Sequence, residues 1–435
     1  MKRSLLLRKP DFVKFWVGEG VSQFGTQVTV LALPLTAILV LNAGPFQVGV
    51  IRFLELIPYL AFALLFGVWV DRLRRRPIMI VANVARLIMI GLVPLLASLD
   101  QLNLPILMVL TFGVGSFSVL FDVTWMSYVP TLVQDRELLV QANSMLGATS
   151  SAAETAGPGI GGALVGVFTA PIAMAVDAAS YLVSLISLLL IRLPEPTPSP
   201  AQARRSIRAE LAEGLRWVFR NRYLRVIAAV GAASNFFTTA IVAMFVLYAV
   251  RDAGLKPGTL GLVLSIGAAG GLIGALMSGR VVRRLTVGRT YVVGLSVTFL
   301  SPLIIPAASG SEIVLSAMFA GAFFLMYFGM GMTNVVVLTL RQIVTPERML
   351  GRMNAAMRML MFGLAALGGP FGGLIGSLTS LRIALWVSAI GAALILVPLI
   401  LSPVARLRQM PPPAVDPATA MGVSSESSES SEQVG

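Results

Sequence analysis

The sequence predicts an all-α integral membrane protein with twelve transmembrane helices in two pseudo-symmetric six-helix bundles. Three observations predict it. The 435 residues are 56% hydrophobic and only 12% charged, against roughly a quarter charged in soluble globular chains. Twelve apolar runs are long enough to cross a hydrocarbon core, which takes about 20 residues. The second half of the chain repeats the first at an offset of 212 residues.

The expected spans are 14–41, 47–70, 78–99, 105–129, 139–168, 171–191, 224–250, 258–282, 290–309, 313–340, 352–377 and 380–402. The first is too long for a signal-peptide core and lacks a small-residue cleavage site, so it is expected to be retained. Basic residues set the orientation. Of the 33 Lys and Arg residues, 27 fall at the two termini or in alternate loops, namely 71–77, around Arg136, 192–225, 280–289 and 341–352. The opposite loops hold only Arg251, Lys256 and Arg382. The positive-inside rule then places both termini in the cytoplasm and the chain in the inner (plasma) membrane. The net charge of +13 therefore reads as membrane topology. A nucleic-acid surface would gather basic residues on one domain, whereas these are spread over seven segments.

The repeat pairs Ser22 with Ser234, Phe24 with Phe236, Pro45 with Pro257 and Gly49 with Gly261. It continues through Gly67/Gly279, Arg72/Arg284, Leu73/Leu285 and Pro94/Pro306 to Gly157-Pro158 against Gly369-Pro370. Such a parallel repeat predicts two halves with a substrate path between them near the bilayer midplane. The expected organisation is a cytoplasmic N-terminus (1–13), an N-terminal bundle (14–191), a cytoplasmic linker (192–223), a C-terminal bundle (224–402) and a disordered cytoplasmic tail (403–435). Pro194 to Pro200 alternates proline with polar residues and is expected to be extended. Beyond it, Ile207, Leu211, Leu215 and Phe219 recur every four residues among charged ones. They predict an amphipathic helix on the inner membrane surface, acting as a strut between the bundles.

Several function classes are excluded at once. The chain has no Cys and no His. Disulfides, thiolate or imidazole metal sites and Cys or His catalysis are ruled out, and carboxylates are left as the proton carriers near neutral pH. Its four lysines (Lys2, Lys9, Lys14, Lys256) are never followed by Ser or Thr, so the phosphate-binding Lys-Ser/Thr pair of a P-loop is absent. The expectation is a non-enzyme without cofactor, metal, nucleotide or nucleic acid. Its partners are a small-molecule substrate, protons or Na⁺, and the lipid bilayer. It is expected to be a monomer, with Gly267, Gly271 and Gly274 serving helix contacts within the molecule.

Two motifs sharpen this reading. Gly67-Val-Trp-Val-Asp71-Arg72-Leu73-Arg74-Arg75-Arg76 joins spans 2 and 3. Its glycine permits close helix approach, and its charges suit an ion-pair latch. In span 5, Gly157-Pro158-Gly159-Ile160-Gly161-Gly162 lets backbones touch and a helix bend. Together with the twelve spans and the repeat, these resemble the major facilitator superfamily, over roughly residues 12–402. The first is similar to its loop motif, and the second resembles the span-5 motif of its exporters. Leu33-Pro34-Leu35, Phe121-Asp122-Val123 and Val176-Asp177-Ala178-Ala179-Ser180-Tyr181-Leu182-Val183-Ser184 resemble the branch of macrolide-efflux and enterobactin-exporter-like proteins. There are departures. Arg74 stands at a motif glycine, Arg283 at the repeat's aspartate, Ala153 at a span-5 glycine, and Thr111 at about the position of the span-4 arginine linked to proton transfer in drug/proton antiporters.

Ionisable groups inside a membrane are costly and mark function. Glu19, Glu55, Asp122, Glu154 and Asp177 fall in N-half spans, whereas the C-half spans contain no acid and carry Arg358. Glu154, near mid-span and three residues before the Gly-Pro step, is the first candidate for proton coupling. Glu55 and Glu19 follow, with a packing hydrogen bond and snorkelling as their structural alternatives. By what the resemblance implies, Asp122 pairs with Arg75 or Arg76, and Asp71 meets the start of span 11 near Gly351–Asn354. Gly67 and Arg72 complete that cytoplasmic gate. Asp177 is expected to be structural on a peripheral span, and Arg86 and Arg358 to be charge partners. Met349, Met353, Met357 and Met361 form a four-residue-spaced stripe, and flexible thioethers suit varied apolar ligands, although core packing gives the same spacing. Gln23, Gln27, Asn235, Phe236, Met330, Asn334, Met357 and Arg358 are the expected cavity residues. The function expected is export of hydrophobic or amphiphilic small molecules by proton antiport with alternating access. The alternatives are siderophore or peptide export by the same fold, or a membrane receptor that does not transport.

Overall fold

The computed structural model describes residues 6–195 and 207–412, with Leu64, Val68, Asp71, Arg136, Ile207 and Arg208 described in backbone alone. The central linker residues and most of the tail expected at 403–435 lie outside the described residues. Thirteen helices carry the fold: α1 Pro10–Leu39, α2 Pro45–Arg72, α3 Arg75–Ser98, α4 Leu104–Leu132, α5 Arg136–Val167, α6 Ala170–Leu190 and α7 Ile207–Arg220. They continue as α8 Arg222–Arg251, α9 Pro257–Leu285, α10 Val287–Ala307, α11 Glu312–Ile343, α12 Glu347–Leu378 and α13 Leu381–Ile400. Helices suit such a chain because each satisfies its own backbone polar groups in an apolar surrounding. Their starts are written locally. Proline opens α1, α2 and α9, where a missing N–H costs nothing, and the side chains of Asn103, Thr169, Asn221 and Ser380 cap α4, α6, α8 and α13.

Among the described residues, eleven helices are long and apolar enough to cross a membrane. The twelfth expected span is α5. At 32 residues it has the length, but Gln141, Asn143, Ser144, Thr149, Ser150, Ser151, Glu154 and Thr155 make it too polar to qualify on composition.

The sequence repeat returns as a packing repeat. In the N half α1 packs on α5 and α6, α2 on α4, and α3 on both α4 and α6. The corresponding C-half pairs are α8 on α12 and α13, α9 on α11, and α10 on both α11 and α13. Small residues set the close approaches. Gly18 and Gly25 of α1 leave room for Ser187 and Ser180 of α6, and Gly267, Gly270, Gly271 and Gly274 of α9 receive the backbone and rings of α11.

Two further pairs join the halves, α2 with α12 and α5 with α9. They meet through equivalent glycines. A Cβ on Gly373 would lie 2.6 Å from the Pro45 carbonyl, and Gly49 abuts Gly369 and Pro370 backbone to backbone. A Cβ on Gly261 would lie 2.5 Å from the Pro158 carbonyl and 2.9 Å from the Gly162 Cα. Both seams lie at the end of the bundle that holds the 40–44, 168–169, 252–256 and 379–380 connections. At the other end, which holds the described parts of the two termini and the linker, the space beside Gly67, Gly147 and Gly351 is open to 4 Å. The glycine contacts between the halves are therefore concentrated at one end.

Helix α7 docks on the C half. Its Gly214 lies on the backbone of Arg352 at the start of α12, and the Arg352 guanidinium pairs with Glu213 at 2.5 Å and Glu210 at 3.4 Å. Leu211 and Leu215 are partly buried and Val218 fully, while Phe219 is 51% exposed. The buried face runs through 211, 214, 215 and 218, the i, i+3, i+4, i+7 stripe of a helix packed on protein.

Because the native chain has no cysteine, a single cysteine reports the seal cleanly. Ile51, 2% exposed beside the α2–α12 seam, should be unreactive to a membrane-impermeant maleimide as Ile51→Cys. Adding Gly261→Val forces the opposite seam apart, at a cost of about 1–3 kcal/mol for overpacking, and should make that cysteine reactive. Continued protection would show that the two seams do not act together.

Candidate functional site

Arg86 of α3 is the buried centre of the N half, 4% exposed. Its guanidinium lies 4.1 Å from the Phe121 ring centroid and 4.5 Å from that of Tyr181, an arrangement that stabilises a desolvated cation. It donates to Asn83, whose amide nitrogen donates to Ser184 Oγ at 3.0 Å. Three carboxylates feel its charge: Glu19 of α1, Asp122 of α4 and Asp177 of α6. None reaches it within ion-pair distance. Glu19 Oε1 accepts from Gln23 Nε2 at 3.0 Å, while its buried Oε2 has no partner. Asp177 is fully buried; Oδ1 accepts from Ser180 Oγ at 3.0 Å, and Oδ2 has no partner. Asp122 Oδ2 accepts from the Tyr59 hydroxyl at 2.6 Å.

The charges along the inter-half face form a second row. Arg52 and Glu55, one turn apart on α2, pair at 2.6 Å. The Tyr59 ring stacks on Phe362 of α12 at 5.1 Å. Tyr327 of α11 feels both Arg52 and Glu154, and the Arg358 charge of α12 acts on Asp122 and Tyr59. Glu154 is exposed and accepts from Ser150 Oγ at 3.3 Å. Pro158, one turn further along α5 and so on the same helix face, meets Gly261 of α9 through its carbonyl. Next to this row a cavity of about 240 Å³ opens between α1, α2, α4 and α6, bounded by Phe362.

The structure rearranges several sequence expectations. Asp122 meets Tyr59 instead of Arg75 or Arg76. Arg76 donates to the Leu188 and Leu189 carbonyls at the end of α6, and the backbone N–H groups of Arg75 and Arg76 are capped by Glu195 at 2.6 and 3.1 Å. The space a side chain on Gly67 would take is open to 4 Å, Arg72 is exposed, and the Asp71 side chain lies outside the described residues. Asp177, expected on a peripheral span, points inward, where Gly25 makes room for it. The span-5 glycines serve close approach: Gly157 meets Gln27, Gly161 meets Val28, and Gly162 meets Gly261, in a helix that continues through Pro158. Met357 is 1% exposed in the C-half core with Met349 and Met353, so the methionine stripe is packing, the alternative its spacing allowed. Asn235 and Phe236 are half-buried, Phe236 against Phe237 and Phe371. Met330 and Asn334 are exposed and Arg358 is half-buried. Sequence reasoning missed the hydroxyl contacts of Tyr59 and Tyr181. Tyr59 lies one turn beyond Glu55 on α2, which is the sole local signal. Their partners, Asp122 and Thr26, come from other helices and leave no mark in the nearby sequence.

Removing the shared cation tests this arrangement. Arg86→Met leaves Glu19 and Asp177 without their buried counter-charge and Asp122 with Arg358 alone, and should lower stability by about 3–5 kcal/mol, the usual cost of orphaning buried charge. Adding Asp177→Asn should recover part of the loss. Thermal unfolding in detergent checks both, and an unchanged midpoint for Arg86→Met would contradict the shared-cation account.

Comparison with known proteins agrees with the geometry. The family model described as Major Facilitator Superfamily matches residues 15–370. The chain is 27% identical over 416 residues to the enterobactin exporter EntS of Salmonella typhimurium, covering 94% of this chain and 96% of that one. It is 23% identical over 272 residues to macrolide efflux protein A of Streptococcus pyogenes, covering 62% and 66%. Among solved structures, the nucleoside transporter NupG superposes with a TM-score of 0.72 at 10% identity, covering 90% of this chain and 98% of NupG. A bacterial homologue of the iron transporter ferroportin in an inward-facing state gives 0.69 at 18% identity, covering 91% and 98%. With its two six-helix halves, its glycine seams and a family match over most of its length, the chain belongs to the Major Facilitator Superfamily of membrane transporters.

Proposed function

We propose that this transporter exports bulky hydrophobic or amphiphilic small molecules across the inner membrane in exchange for protons, with both termini in the cytoplasm. The basic-residue split supports the orientation. In that orientation the two glycine seams lie at the outward end, and substrate enters from the cytoplasmic end. Similarity to an enterobactin exporter and a macrolide efflux protein supports the outward direction. The first of these, over nearly the whole chain, also favours a second reading in which the cargo is a siderophore.

One observation carries the proton coupling: the buried Arg86 is shared by three carboxylates, of which Asp122 alone also feels Arg358, while Glu19 and Asp177 each have a buried oxygen without a partner. Burying several carboxylate charges around one guanidinium is unfavourable, and a proton on one of them relieves it. Glu19 is the proposed loading group, because it is buried, it lies on α1, which packs against α5, and it is joined to Gln23. Glu154, exposed toward the inter-half space, exchanges protons with water. Glu55 is held by Arg52 and contributes to coupling only when that pair opens. Alternating access then follows from rocking the two halves about the central space.

Flux into proteoliposomes with an imposed pH gradient tests the reading. Native protein should concentrate a lipophilic fluorescent substrate against its gradient only when the imposed pH gradient drives protons the opposite way. Glu19→Gln should abolish this uphill flux while leaving substrate binding measurable, and Glu154→Gln should slow it. Native-rate uphill flux in Glu19→Gln would remove Glu19 from the coupling, and binding without any net flux in native protein would identify a receptor.

A further inference from the structure

The coupling scheme gives Asp177 no task, yet this acid stands directly behind a polar cavity. Resting on the proton-exchange reading, we propose that Asp177 is a second proton-binding group, linked to Glu19 through Arg86 and filled from the inter-half space through that cavity. Its side chain is fully buried; Oδ1 accepts from Ser180 Oγ at 3.0 Å, and Oδ2 has no partner. A Cβ on Gly25 would lie 2.6 Å from Oδ1, so glycine keeps the space open. The groups facing it come from four helices. α3 brings Arg86, α1 brings Glu19 and the uncharged Thr29, and α6 itself adds the Tyr181 hydroxyl. α5 carries Glu154, which is exposed, on the face that meets α9. Asp11, Lys14, Arg75 and Arg76 lie in the first turns of α1 and α3, whereas Asp177 lies in the second turn of α6, at the seam end.

The charges leave one acid over. Asp122 has a second cation in Arg358, while Glu19 and Asp177 draw on Arg86 alone. One guanidinium balances one carboxylate. With both acids ionised, the buried cluster holds an excess negative charge, which is costly away from water. Glu19 therefore gives up its proton most easily when Asp177 holds one. Asp177 is the store that keeps the cluster balanced while Glu19 empties.

A proton reaches Asp177 through two hydroxyls. Thr29 and Tyr181 stand beside it, and both line the cavity of about 240 Å³ between α1, α2, α4 and α6. The wall continues with Thr26, Thr111, Ser118 and Tyr59 and ends at Glu55 and Phe362 on the inter-half face. Thr111 donates to the Leu107 carbonyl at 2.7 Å, Tyr59 donates to Asp122 at 2.6 Å, and Thr26 and Tyr181 share one bond of 3.1 Å. Thr29, Ser118 and one of the Thr26–Tyr181 pair keep a proton free, and every hydroxyl keeps a lone pair. A wall that both donates and accepts suits water. The transfer balances simply: water gives a proton to Thr29 Oγ1 as the Thr29 hydroxyl proton passes to Asp177 Oδ2. Thr29 ends unchanged, and one new O–H bond stands on Asp177.

The test is infrared pH-difference spectroscopy of the purified full-length protein in lipid nanodiscs, with no substrate and no gradient, read at the C=O stretch of protonated carboxyl groups. Asp177→Asn should delete one band and Glu19→Gln another. Glu19→Gln should weaken proton binding at Asp177 about tenfold, which is about one pH unit on the titration. Asp177→Asn should weaken it at Glu19 by the same factor, because linkage is reciprocal. Thr29→Val/Tyr181→Phe keeps both side-chain shapes and leaves Asp177 itself unaltered. It should slow hydrogen–deuterium exchange at the Asp177 band at least about tenfold and leave the Glu19 band unaffected. A native protein with no band that Asp177→Asn deletes would overturn the proposal, as would two acids that titrate independently. Native-rate exchange in the hydroxyl double variant would overturn the route. Flux is measured separately, so linked titration without export would leave this pair standing and reject the export reading.

Discussion

Backbone meets backbone at two places between the halves, Gly49 on Gly369 and Gly261 on Pro158 and Gly162, and the geometry of the molecule depends on those contacts. Inside a bilayer there is little hydrophobic drive to bring helices together, so association rests on close packing. A side chain at any of these positions would hold the helices apart. The two seams are equivalent under the repeat, since Pro45 and Gly49 correspond to Pro257 and Gly261, and Gly369-Pro370 to Gly157-Pro158. A structure joined by two equivalent contacts at one end is a pair of rigid bundles with a pivot. Helix α7, clamped by Glu210 and Glu213 to Arg352, travels with the C-terminal bundle.

The halves are alike in packing and unlike in chemistry. The N half concentrates its acids around Arg86, with Tyr59 and Tyr181 linking that cluster to the inter-half space. The C half presents Arg358 and Tyr327 to the same space and fills its interior with rings such as Phe245, Phe319 and Phe323. This division lets one bundle manage charge while the other offers an apolar surface. Under the proposed coupling, a proton bound on the N-half side would bias how the two sides fit, since a ligand shifts an equilibrium only by its differential affinity for the two states.

Much of the fold is legible in the sequence because membrane insertion is a matter of length and polarity, and because the repeat survives as identical residues. The loop and span-5 glycines are legible for the same reason: only glycine lets backbones touch. Which neighbour each glycine meets is not legible, and beside Gly67 the space a side chain would take is open. The site is less readable. Four-residue spacing describes Met353 and Met357 equally well on a cavity wall or in a core, and only the arrangement of α8 and α12 decides for the core. Asp177 reads as structural from its place on α6, yet Gly25 of α1 opens the space into which it points. The capping of α3 by Glu195 joins residues 120 apart, which no local pattern encodes.

The central claim is that two rigid halves pivot, opening one end as the other closes. Pulsed-EPR distance distributions measure this directly in the otherwise cysteine-free chain, with one spin-label pair at Asn42 and Asp252 and another at Ser144 and Arg280. On adding substrate and lowering pH, the account predicts that the first distance lengthens while the second shortens. Distances that stay fixed, or that change in the same direction at both ends, would contradict it.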